Sequence, residues 1–172
     1  MALPDYTKPL DADFIATSAG DIRDNWVAPS VRVHSTSAII VQASSTLTLT
    51  YTAERWDTAG SWSSTASSRL IATVAGKYSI IANVRWPSNA DGYRALAIRR
   101  NGVTDIGGVH AAPPTGTVMD MQVFSVANMS ANDYVEVLAT QTSTSSLAIA
   151  VSSQISPEFM MTLVSATTAI ST

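Results

Sequence analysis

Apolar and polar residues follow two different rhythms along this chain. In the first 27 residues, Leu10, Phe14, Ile22 and Trp26 fall on a four-residue spacing, with Ile15 and Ala19 beside them. That spacing puts one apolar stripe on a helix from about Asp11 to Asn25. Pro9 lies just ahead of it, Asp11 suits the N-cap, and Pro29 blocks continuation. A single helix of this length is marginal in water, so its stripe must be buried, either on its own domain or among partner chains.

From Val31 the period becomes two. Val31-Arg32-Val33-His34 alternates, and Leu47-Thr48-Leu49-Thr50-Tyr51-Thr52 alternates over six residues. This is the pattern of half-buried strands. Further strands are expected at 69–74, 78–86, 94–100, 117–126, 134–141, 147–151 and 159–165. Turn signals separate them: Thr58-Ala59-Gly60, Ala75-Gly76, the run from Ser88 to Gly92, Asn101-Gly102, Gly107-Gly108, Pro113-Pro114 and Ser156-Pro157. Asn101-Gly102 is the clearest, because both central residues of a type I′ turn need positive φ. Nine or ten short strands with almost no helix after residue 27 predict an all-β sandwich or barrel. The expected division is a helical anchoring arm over 1–27, a β domain over 28–166 and a short tail over 167–172.

Composition sharpens the picture. Ser and Thr make up 43 of the 172 residues, whereas charged residues are only 13%. The outward faces of the strands therefore carry hydroxyls and amides in place of charge. With net charge −3, the basic footprint of a nucleic-acid binder is absent, and no nucleic-acid partner is expected. No apolar run approaches the ~18 residues of a spanning helix, and no membrane partner is expected. Met1 to Tyr6 shows neither a basic nor an apolar leader segment, which argues against a secretory signal. There is no Cys, hence no disulfide framework and no thiolate chemistry.

Several segments, in order, resemble the C1q/tumour-necrosis-factor jelly roll in the version found in bacteriophage and bacterial proteins. They are Ala53-Glu54-Arg55-Trp56-Asp57-Thr58-Ala59-Gly60-Ser61-Trp62, Ala75-Gly76-Lys77-Tyr78-Ser79-Ile80 and Ile98-Arg99-Arg100-Asn101-Gly102. Met129 to Val137 and Ser156 to Leu163 complete the set. The usual Gly before the last Asp is Asn132 here, which tolerates the left-handed region. No collagen-like stalk precedes the domain. The arm from Leu10 to Asn25 resembles the segment ahead of such domains in surface proteins of actinobacterial phages. The resemblance implies a jelly-roll β-sandwich, a compact homotrimer, and one sheet of each protomer facing the three-fold axis. It implies a trimer-interface position for Tyr78 and Tyr134, with ordinary core packing the alternative for Tyr78.

Candidate chemistry is sparse. His34 and His110 are the only histidines, 76 residues apart, and no G-x-S-x-G or H-E-x-x-H motif is present. Glu54/Asp57 and Asp133/Glu136 could pair as carboxylates but fit turns and strand mouths better. Trp56, Trp62 and Trp86 form either a sugar-stacking platform or packing over the sandwich ends. Asn89, Asp91 and nearby carbonyls could hold calcium. No catalysis and no cofactor are expected. Loops at the ends of a rigid sandwich carry recognition, which makes Ser88–Tyr93 and Thr104–Thr115 the expected contact surfaces, through Asn89, Asp91, Tyr93, Arg94 and His110. The expected protein is a trimeric knob on a phage virion, assembled in the host cytoplasm. Its arm would anchor to a tail tip or a major capsid protein, and its loops would touch host envelope glycans as a minor tail protein does. The alternatives are a capsid decoration or head-fibre protein and, third, a secreted bacterial lectin.

Overall fold

The computed structural model describes residues 28–152 and 156–167. The anchoring arm and its stripe of Leu10, Phe14, Ile22 and Trp26 lie outside these residues. Twelve strands follow one another: β1 (Ser30–His34), β2 (Ile39–Val41), β3 (Ser45–Thr48), β4 (Ala53–Asp57), β5 (Arg69–Ile71), β6 (Gly76–Trp86), β7 (Arg94–Arg100), β8 (Thr104–Ala111), β9 (Met119–Met129), β10 (Tyr134–Gln141), β11 (Leu147–Ile149) and β12 (Glu158–Ala166). One antiparallel sheet runs β4-β1-β12-β6-β9. The other runs β3-β10-β7-β8, with β5 also on β10, and β11-β2 forms a small ribbon. The fold is a jelly-roll β-sandwich.

The two-residue period is what closes the sandwich. Along β6, Tyr78, Ile80, Ala82, Val84 and Trp86 all point into the core, and the residues between them do not. β9 alternates without a break over its whole length. From the second sheet, Leu96, Ile98, Val135, Val137 and Ala139 meet them. Tyr51 stacks on Phe159 at 5.6 Å between ring centroids. A fully buried aliphatic or aromatic side chain of this kind contributes about 1.5–3 kcal/mol.

Three details differ from the sequence expectation. β8 falls where a loop was expected, over Thr104–Ala111, and Gly107-Gly108 lies inside it rather than at a turn. The strand is an edge with a bulge at Ile106, since Ile98 faces Gly107 and Arg99 faces Asp105. Pairing to β7 overrides the local glycine signal. Second, the alternation of 47–52 ends as a strand at Thr48; Leu49 and Tyr51 stay buried while the chain crosses toward β4. Third, Gly76 opens β6 instead of turning. A Cβ there would collide with the Ser165 carbonyl oxygen and the Leu163 side chain, so only glycine lets β6 and β12 approach. The Asn101-Gly102 turn is as expected, with φ of 51° and 72°. Asn132 adopts φ 72°.

Candidate functional site

The loop over 87–93 joins β6 to β7, and a buried arginine organises it. Arg94 is fully buried. Its Nη1 donates to the Asp91 carbonyl at 2.9 Å and the Tyr93 carbonyl at 3.0 Å. Its Nη2 donates to the Asn89 carbonyl at 3.0 Å and to Asn89 Oδ1 at 2.9 Å. The guanidinium also lies 5.8 Å from the Trp86 ring centroid. Burial lowers the Arg94 pKa, and the nearby Asp91 charge works against that.

Asp91 fastens the same loop to its neighbour. Its Oδ2 accepts from the Thr144 N–H at 2.8 Å and the Thr144 hydroxyl at 2.9 Å. These bonds hold the Asp91 carboxyl below its ordinary range. Asn89 Oδ1 also accepts from the Asp91 N–H. Tyr93 N–H donates to Thr142 Oγ1 at 2.8 Å. Behind it, Gln141 bonds the Gln42 and Ser145 carbonyls and accepts from Ser143, tying the β2–β3 and β10–β11 loops together at this end.

This geometry corrects part of the expected contact surface. Arg94 is not presented to a ligand; it is the internal brace of the loop. Asn89 Oδ1, Asp91 Oδ2 and the two backbone carbonyls, which a calcium ion would need, accept from protein donors instead. Tyr93 and His110 remain outward. Tyr93 is 44% exposed, His110 is exposed, and Ala95 stands directly opposite His110. The three line an open hollow of about 420 Å³. The sequence placed Tyr93 and His110 in separate loops. Only the β7–β8 pairing, invisible while 104–111 reads as a loop, brings them together.

The proposed interface tyrosines are also placed. Tyr78 is a core residue, 1% exposed, its hydroxyl donating to the Val74 carbonyl at 2.8 Å. It offers no surface to a partner, because its inward position on β6 points it between the sheets. Tyr134 is half-buried at the other end, on the outward face of the second sheet, with the Arg69 guanidinium 4.1 Å from its ring centroid. The tryptophans do not share a platform: Trp86 is buried, Trp62 packs against the core, and Trp56 stands outward on β4. Asp57 caps its loop by accepting from Ala59 N–H and Trp62 N–H, and Glu136 pairs with Arg69. Among the described residues, no cluster of three metal-ligating side chains occurs, and no helix is long and apolar enough to cross a membrane.

The sequence missed the outward face of the first sheet. Strand register lines up Trp56, Arg32, Met160, Ile81 and Phe124 in one row across all five strands. The next row toward one end is His34, Glu158, Asn83 and Gln122; toward the other it is Ser30, Thr162, Ser79 and Val126. Phe124 and Val126 on β9 are 58% and 55% exposed, and Val164 on β12 is exposed as well. A mostly apolar row, interrupted by Arg32, with mostly polar rows alongside is the layout of an interface core and its rim.

No family model matches the chain, and no curated protein matches its sequence. Solved structures do match the fold. The globular domain of zebrafish complement 1qA aligns at TM-score 0.59 and 12% identity, covering 80% of this chain and 98% of that one. Eiger TNF from S. frugiperda aligns at 0.60 and 10%, covering 84% and 98%. Murine APRIL aligns at 0.62 and 8%, covering 79% and 98%. The chain has the C1q/TNF-type jelly-roll fold.

Proposed function

We propose that the chain is a self-associating binding knob: a homotrimer that packs the outward face of the first sheet around a three-fold axis and turns its second sheet outward. The observation that carries this reading is the row Trp56–Arg32–Met160–Ile81–Phe124, with Val126 in the next row, whose apolar side chains are exposed or half-exposed in the single chain. Water-exposed aromatic and aliphatic surface of this kind is stabilised by association. Self-association leaves Tyr93, Ala95 and His110 on the far sheet, repeated three times. Their hollow suits the apolar face of a sugar ring, with the phenol and imidazole as hydrogen-bond partners. Repetition raises the avidity of weak single sites. The role is binding rather than catalysis.

The resemblance of the segment from Leu10 to Asn25 supports placement on a phage virion surface, with the arm docked to a tail or capsid protein and the knob contacting host envelope glycans. The rigidly braced Tyr93 loop favours attachment over shell decoration, because a decoration protein has no need of a preorganised outward hollow. Sedimentation and a binding assay test the reading together. The chain should sediment at three times 18.1 kDa at micromolar concentration. It should bind purified host envelope, and Tyr93→Ala should lose that binding while staying trimeric. A clean monomer refutes the assembly, and undiminished binding by Tyr93→Ala refutes the hollow.

A further inference from the structure

β1 and β4 do not pair in continuous register. Arg32 faces Trp56, and Val33 faces Glu54, so Arg55 is the extra, bulged residue. A bulge re-aims the side chain it carries. Here it brings Arg55 onto the carboxylate that Arg32 already holds. Arg55 Nε donates to Glu158 Oε1 at 2.6 Å, its Nη2 pairs with the same oxygen at 2.6 Å, and Arg32 takes Oε2. Glu158 is 7% exposed. Burial alone would raise its carboxyl pKa; the hydrogen bonds from Arg32 and Arg55 outweigh burial and hold it below the ordinary range.

Two guanidinium groups thus share one carboxylate, leaving one surplus positive charge in a chain of net charge −3. The other ion pairs of the described residues, Arg69–Glu136, Arg85–Asp120 and Arg99–Asp105, are one to one. The surplus borders a hollow of about 410 Å³ lined by His34, Ser35, Thr36, Arg55 and Ser156, among others. His34 lines this hollow; its Nδ1 is buried without a hydrogen-bond partner among the described residues and is closed to a ligand, which leaves Nε2 as the imidazole atom able to meet one. The bonds of Arg55 to Glu158 run through Nε and Nη2. A guanidinium carries five N–H donors in a planar fork, so Nη1 is left for a second acceptor.

We infer that this hollow binds a small oxyanion, a carboxylate or a phosphate, between the Arg55 guanidinium and the His34 imidazole. Its oxygens accept from Arg55 Nη1 and from an imidazole N–H of His34, and its charge balances the unshared guanidinium. Glu158 keeps both arginines extended toward the site without neutralising both. The chemistry is shared by free phosphate and by the carboxylate of an acidic sugar. This site is separate from the Tyr93 hollow and does not depend on it.

The test uses the full chain, whose two histidines report independently. Sodium phosphate, sodium acetate and sodium glucuronate are titrated at constant ionic strength while both imidazole proton resonances are followed by NMR. His34 should shift saturably, and His110 should stay still with phosphate and acetate. Arg55→Gln should weaken the response by about tenfold or more, the usual loss for one charge-assisted bond. Glucuronate binding tenfold tighter than acetate assigns the site to a sugar carboxylate; equal affinities assign it to the free anion. Should Arg55→Gln fail to fold, His34→Gln read by isothermal calorimetry replaces it, with the same loss expected. No saturable His34 shift with any of the three anions, an equal shift of His110 with phosphate or acetate, or full affinity in the folded variant overturns the proposal.

Discussion

The two sheets bury similar residues and expose different ones. On β6 and β10 alike, every second side chain enters the same core. Outward, the first sheet carries the row of Trp56, Arg32, Met160, Ile81 and Phe124, apolar but for the arginine. The second carries Thr46–Thr140–Ala95–His110 and Thr48–Leu138–Ala97–Gly108, then a charged row, Arg69–Glu136–Arg99–Asp105. That charged row is internally paired, Arg69 to Glu136 at 2.9 Å and Arg99 to Asp105 at 2.7 Å. A strand must be half apolar to make a core, but nothing in that requirement fixes its other half. The outward residues are free to differ, and under the proposed assembly the first sheet's apolar row meets another copy while the second sheet's row with His110 stays open to solvent.

The largest expected effect breaks this contrast directly. Phe124→Glu puts a charge into the apolar row of each protomer, and an unpaired charge at a buried interface costs several kcal/mol. The trimer should fall to an 18.1 kDa species that keeps its strand circular dichroism. The equivalent change on the other face, Thr140→Glu, should leave the oligomer unchanged. If both variants or neither dissociate, the two faces are not different in kind.

Next in size is Arg94→Met, which tests whether the second sheet's hollow depends on its brace. It removes four hydrogen bonds and leaves the Asn89, Asp91 and Tyr93 carbonyls short of donors. A loss of about 2–4 kcal/mol is expected by denaturant titration. A loss under about 0.5 kcal/mol would mean that the loop holds itself.

Acid acts on both sheets. Four carboxyls sit below their ordinary range. Asp120 does so through its bond from Arg85, Asp133 through Asn101 and Ser130, Asp91 through Thr144, and Glu158 through Arg32 and Arg55 against its burial. A carboxyl depressed in the folded state contributes stability above the unfolded value of about 4 and loses it as pH falls through the folded value. Stability should be flat from neutral pH to about pH 5 and then decline. Denaturant midpoints across that range check it, and a decline that begins near pH 7 would mean that these carboxyls do not set the acid limit.

Asp133→Ala should have the smallest effect and no influence on either face. Its carboxylate accepts from Asn101 Nδ2 and Ser130 N–H, both at 2.8 Å, clasping the β7–β8 turn to the β9–β10 turn. Losing such bonds costs about 1 kcal/mol, a shift of about 2–4 °C in Tm for a chain of this size. An unchanged midpoint together with lost host binding would make Asp133 a contact residue.

Much of this was legible beforehand, for reasons that can be named. Alternation from Val31 onward announced the sandwich, since a strand with one buried face has no other period open to it. Asn101-Gly102 and Asn132 announced their left-handed turns, because few other residues occupy that region cheaply. The role of Asp133 followed from its position before an apolar strand, where a short carboxylate meets free backbone N–H groups. Those features are local, and a local energy difference is written in neighbouring residues.

Partnership across the chain is not local. Arg94 reads as a surface hot spot until the β6–β7 loop wraps it. Tyr78 reads as an interface ring until β6 turns it inward. Glu158 lies 126 residues from Arg32 and 103 from Arg55, and only the β1–β12 register and the β4 bulge bring the three together. Likewise the Trp56–Phe124 row exists only once five strands are placed side by side. The sequence alone determined which residues alternate and where the chain can turn, because steric and hydrophobic preferences act residue by residue. Tertiary structure decided which alternate face meets which neighbour, because register converts distant positions into contacts, and a slip of one residue would have exchanged the core for the surface.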